Sequence, residues 1–147
     1  MKYFIVSVVL TLLAVVAVKA NEKKANEKVT EIFNKCRKNH PVTDEEVEQI
    51  KVKQEIPSSE NVKCILACML KEAKVLKDGK YDEENAKLMA DVLHKDEPEH
   101  AEKSKEIIAT CVKEVGIDAT EECEYAYKMA KCGSEHAKKV GLKTPEF

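Results

Sequence analysis

The sequence predicts an all-α protein, a compact bundle of six or seven short helices in one disulfide-tied domain. Three observations carry that expectation. Apolar residues recur at helical intervals through nearly every segment after residue 24, with no alternating run that would mark a strand. Six cysteines are present, an even number, all in the same part of the chain. The first twenty residues have the layout of an export signal, which places those cysteines in an oxidising compartment.

That leader reads MKYFIVSVVLTLLAVVAVKA. Lys2 gives a positive start, the stretch from Phe4 to Val18 is apolar, and Val18-Lys19-Ala20 puts small residues at the cleavage positions. The apolar run is short for a bilayer span of about 20 residues, and Lys19 interrupts it. Residues 1–20 are therefore expected to be removed on export, leaving 21–147 as one helical domain. Losing Lys2 and Lys19, with no acid among those residues, takes the net charge from −2 to −4.

The first helix carries Val29, Ile32, Phe33 and Cys36 as one stripe and ends at Asn39-His40-Pro41. Thr43-Asp44-Glu45-Glu46 reads as a capping box opening a short second helix, with Val47 and Ile50 inward. Ser58 or Ser59 caps a third, from about Glu60 to Leu76, the most apolar of the set. Asp78-Gly79 is a turn signal. A fourth helix from Asp82 is expected to bury Leu88, Met89, Val92 and Leu93, before a charged joint from His94 to His100. The fifth holds Ile107, Ile108, Cys111, Val112 and Val115 and stops at Gly116. Asp118-Ala119-Thr120-Glu121 opens a sixth that runs to about Cys132-Gly133, with Ser134 to Val140 as a separate last piece.

Cys64 and Cys68 lie a turn apart on one face of the third helix, so each bonds to a different partner. Cys123 and Cys132 are nine residues apart, and nine steps of about 100° put them on opposite faces of the sixth. The third and sixth helices are thus two hubs, each stapled twice.

The spacing Cys36-x27-Cys64-x3-Cys68-x42-Cys111-x11-Cys123-x8-Cys132 resembles that of the six-cysteine insect odorant-binding proteins of the pheromone/general-odorant-binding type. The x3 and x8 intervals are the most restrictive part of that pattern. The resemblance implies the pairing Cys36–Cys68, Cys64–Cys123 and Cys111–Cys132. It also implies six helices around an apolar cavity that carries small hydrophobic molecules to chemosensory receptors. Each crosslink contributes about 2–5 kcal/mol by constraining the unfolded chain, which can offset the packing lost to a cavity.

From stripe positions and the resemblance together, Phe33, Ile50, Leu66, Leu70, Leu76, Leu88, Met89, Leu93, Ile108, Val112 and Tyr127 are expected to line that cavity. With no Trp and few rings, such a lining suits flexible aliphatic ligands better than ring stacking. Tyr125 and Tyr127 point in different directions, so one hydroxyl at most would meet a ligand. Related proteins of intermediate length fold the C-terminus over the pocket mouth, a lid role that would fall to Phe147. His94 and His100 flank Asp96-Glu97-Pro98-Glu99 and make that joint a candidate pH-responsive loop.

No catalytic motif is present: no His-Glu-x-x-His, no Gly-x-Ser-x-Gly, no glycine-rich phosphate loop and no His-Asp pair. An enzyme is not expected, nor a cofactor, and disulfides absorb the cysteines that a metal would need. Interspersed charge gives no footprint for nucleic acid. The expected partner is a small hydrophobic ligand, with the chain a monomer or weak homodimer and without stable membrane insertion once the leader is gone. Two other readings stay open: a non-sensory sequesterer on the same fold, salivary, venom or reproductive, and a saposin-like membrane-active protein.

Overall fold

The computed structural model describes residues 24–143, so the expected leader and Phe147 lie outside the described residues. Among the described residues there are six α-helices: α1 (24–37), α2 (Asp44–Glu48), α3 (Glu60–Glu72), α4 (Glu83–Leu93), α5 (Pro98–Val115) and α6 (Glu122–Val140). One π-helical turn, Gln49–Lys53, extends α2. A two-stranded antiparallel hairpin, β1 (Leu76–Lys77) and β2 (Lys80–Tyr81), joins α3 to α4.

Two helix starts share one carboxylate. Thr43 accepts from the Glu46 amide at 3.1 Å, and the Glu46 carboxylate accepts from the Thr43 amide at 2.9 Å, the capping box expected. The other Glu46 oxygen accepts from the Ser59 hydroxyl at 2.5 Å. Ser59 in turn caps α3 by accepting from the Val62 amide. The Ser59 bond, then that from Thr43, holds the Glu46 carboxyl below its ordinary value.

Four boundaries differ from those expected. The sixth helix starts at Glu122, since the Asp118 carboxylate accepts from the Thr120 amide and hydroxyl and caps no helix. The third helix stops at Glu72 rather than near Leu76, because Lys74 turns left-handed and the Val75 amide reaches back to the Leu70 carbonyl. Leu76 and Lys77 then pair with Tyr81 and Lys80, although no strand was expected. Asp78 and Gly79 both have positive φ, the geometry of a tight hairpin turn, and two-residue strands are too short to show alternation. The sixth helix continues through Gly133 to Val140 instead of breaking there. One helical glycine costs about 1 kcal/mol, which the Cys132 crosslink and the buried faces around it can offset.

The fourth helix is rotated from its expected phase. Ala86 and Ala90, four apart, are its buried residues, while Leu88 and Val92 are 60 % and 59 % exposed. Small side chains let a helix approach its neighbours closely, so the alanine stripe faces inward and the larger Leu88–Val92 stripe faces out. Lys105 of α5 pairs with Asp91 of α4 at 2.9 Å.

The disulfides join Cys36 to Cys68, Cys64 to Cys123 and Cys111 to Cys132, with Cα separations of 5.8, 4.4 and 5.8 Å. These are the pairs that the resemblance implies, and they make hubs of α3 and α6. Ion pairs Lys63–Glu124 and Lys71–Glu122, both 2.8 Å, run along the same seam.

The core divides in two. Phe33, Cys36, Val42, Ile50, Val62 and Ile65 form one cluster among α1, α2 and α3. Val75, Leu76, Tyr81, Ala86, Cys111, Ala119, Tyr125, Met129 and Cys132 form the other, among the hairpin and α4 to α6. The chain is tied at its described end as well: Gly141 turns left-handed, Leu142 is buried, and the Gln54 side chain donates to the Leu142 carbonyl at 2.8 Å.

Candidate ligand-binding interior

Among the described residues no charged side chain is buried. The rings inside are Phe33 and the pair Tyr81 and Tyr125, whose centroids lie 5.9 Å apart. The Tyr125 hydroxyl donates to the Gly116 carbonyl at 2.7 Å, which closes the α5–α6 corner. Burial raises both phenols, Tyr81 strongly and Tyr125 to about 12, so both stay neutral at physiological pH. Such an interior can hold apolar matter.

Around the second cluster lies a set of apolar side chains that pack against the core yet keep accessible surface. Leu70 and Ala73 come from α3, Met89 from α4, and Ile107, Ile108, Val112 and Val115 from α5. Leu66 and Met69 of α3 stand in the same relation to the first cluster. Helix α3 thus borders both halves, and α5 contributes four of these residues in two successive turns.

The expected lining residues therefore separate into groups. Leu66, Leu70, Met89, Ile108 and Val112 belong to the half-exposed apolar set. Phe33, Ile50 and Leu76 are buried within the packed clusters. Leu93 is half-buried at the end of α4. Leu88 is on the outer face, and this corrects the expectation that it lies inside. Tyr127 is half-buried at the α3–α6 seam, where the Lys63 ammonium stands 5.3 Å from its ring centre, against a polar pair rather than the apolar set. Tyr125 is inside, but its hydroxyl is already engaged by Gly116.

Three apolar positions missing from the expected lining, Met69, Ile107 and Val115, share the geometry of those that were named. Their stripes were visible; which stripe residues keep accessible surface was not. Ala86 and Ala90 were missed because alanine adds little to an apolar stripe, although an i,i+4 alanine pair is itself a sign of close helix approach.

Two polar features lie outside this interior. An open groove beside the hairpin is lined mainly by Lys77, Asp78, Lys80, Asp82, Glu83 and Glu84, and its charge suits no apolar ligand. At the α4–α5 joint, His94 and His100 do come together, rings edge-on at 5.8 Å with the Glu97 carboxylate beside both.

The sequence profile of the PBP/GOBP family matches residues 18–136. The chain belongs to that family. Among curated proteins, general odorant-binding protein 19d of Drosophila melanogaster is 28 % identical over 153 aligned positions, covering 99 % of each chain. Among solved structures, odorant-binding protein dmelOBP28a from Drosophila melanogaster superposes with a TM-score of 0.66 at 30 % identity, covering 82 % of this chain and 98 % of that one. The PBP/GOBP membership agrees with the helix count and with the three crosslinks. Among the described residues, no helix is long and apolar enough to cross a membrane.

Proposed function

We propose that this PBP/GOBP protein is a secreted, non-catalytic carrier that binds and solubilises small hydrophobic molecules, odorants or pheromones among them, for delivery to chemosensory receptors. The observation that carries the reading is the half-exposed apolar set on α3, α4 and α5, joined to an interior without a buried charge. Apolar surface left accessible at the border of the core forfeits burial, at about 25 cal/mol per Å², and a ligand that covers it recovers that energy. The names of the relatives point the same way. The lining proposed is Leu66, Met69, Leu70, Met89, Ile108 and Val112, a methionine-bearing aliphatic wall suited to flexible chains.

The test is displacement of a fluorescent apolar probe from the oxidised protein by long-chain alcohols, aldehydes and esters. Saturable binding is expected, weakened about tenfold by Ile108→Asn, because a polar amide in the wall is left unpaired beneath an alkyl chain. Leu88→Gln, on the outer face, is expected to bind like the parent. Absence of saturable binding by correctly bonded protein, or equal effects of the two substitutions, would refute the assignment.

A further inference from the structure

We propose that the α4–α5 joint is a binding site for a transition-metal dication of the Zn²⁺ or Cu²⁺ type, held by His94, Glu97 and His100. This site is separate from the apolar interior and does not depend on the carrier reading.

Three backbone positions present the donors, and each is fixed. His94 is the last cap of α4, its amide bonded to the Ala90 carbonyl. The Glu97 amide bonds to the His94 carbonyl at 2.9 Å, which makes the joint a tight turn. His100 lies in the first turn of α5, begun by Pro98. The donor atoms converge: Glu97 Oε2 is 2.6 Å from His100 Nδ1 and 4.0 Å from His94 Nδ1, and donors of all three residues lie within 4.8 Å of one another.

Metal geometry asks for little more. Donors about 2.0–2.2 Å from a common ion stand roughly 3–3.5 Å apart. The short contact must open by under about 1 Å and the long ones close by up to about 1.5 Å, within the reach of side-chain rotation. Two imidazoles and one carboxylate form a ligand set that borderline dications favour over Ca²⁺ or Mg²⁺, and water completes the coordination of a half-exposed site.

A second observation separates this cluster from an ordinary helix start. Glu97 holds the N-cap position of α5, where a carboxylate can accept from the helix's open amides, yet its side chain makes no such bond. It is turned to the imidazoles instead. The ammonium of Lys103, on the next turn, is engaged by Glu99 at 2.6 Å. The other two histidines are placed differently: His136 faces Glu114 at 3.1 Å, and His40 lies in the turn after α1.

The experiment is calorimetric titration of the oxidised, ligand-free protein with Zn²⁺ and then Cu²⁺ at neutral pH, with imidazole resonances followed by NMR. One equivalent is expected to bind with micromolar affinity and to shift His94 and His100. His100→Gln, at an exposed position, is expected to weaken binding at least about tenfold, and Glu97→Gln to weaken it less. His40→Gln and His136→Gln should leave it unchanged. The proposal is overturned if neither ion binds, if His100→Gln binds like the parent, or if His136→Gln abolishes binding. Because the joint lies outside the apolar lining, probe displacement by alcohols tests the carrier reading independently of either result.

Discussion

The two core clusters are filled by different side chains. Around Val62 and Ile65, at 0 % and 1 % exposure, branched aliphatics and one crosslink fill the space among α1, α2 and α3. Around Tyr125 and Met129, alanines, cystine sulfur and two tyrosines do the filling, and apolar side chains of α3, α4 and α5 remain half-exposed at its border. Both clusters carry partly buried apolar side chains at their borders, so the difference lies at the centre: fully buried branched aliphatics in the first, smaller and aromatic side chains in the second. The proposed guest would cover the border of the second cluster, where α5 alone contributes four apolar side chains.

The largest expected effect separates the halves directly. Ile65→Ala leaves a hole in the filled half and is expected to cost about 2–5 kcal/mol in urea unfolding with disulfides intact. Ile108→Ala removes a side chain that is already half-exposed, and about 1 kcal/mol is expected. Equal losses would erase the distinction.

A middle-sized effect tests how the open half is braced. Tyr125→Phe keeps the ring but removes the donor to the Gly116 carbonyl, and a loss of about 1 kcal/mol is expected. Affinity for an aliphatic ligand should hold, since the hydroxyl serves the corner and not the guest. A large fall in affinity without loss of stability would move Tyr125 into the binding site.

The smallest effect lies in the acid limb of the filled half. The folded-state pKa of Glu46 is depressed, so its contribution is present above the unfolded value and is lost as pH falls through the folded one. Glu46→Gln is therefore expected to flatten the stability profile below about pH 4.5, by a few tenths of a kcal/mol after solvent screening. An unchanged acid limb would show that the shared cap is worth nothing in solution.

Much of this was legible in the residues. Thr43, Glu46, Ser59, Asp82 and Gly116 mark helix ends by local chemistry, and the structure uses each of them as such. The hairpin at Asp78-Gly79 was legible only as a turn, since its strands are two residues long. The candidate site was less legible than the fold. Leu88 and Met89 are neighbours of similar apolarity, and nothing local says that one faces out and the other in.

By itself, the sequence determined where α2, α3 and α4 start, that α3 and α6 are hubs, and which family the cysteine spacing belongs to. Those properties reside in caps, periodicity and intervals that act within one or two turns of chain. Tertiary structure alone decided the rotation of α4 on its alanines, the passage of α6 through Gly133, and the meeting of His94, Glu97 and His100. Each depends on surfaces contributed by other elements, and a helical stripe gives its period but not its phase against neighbours it has yet to meet.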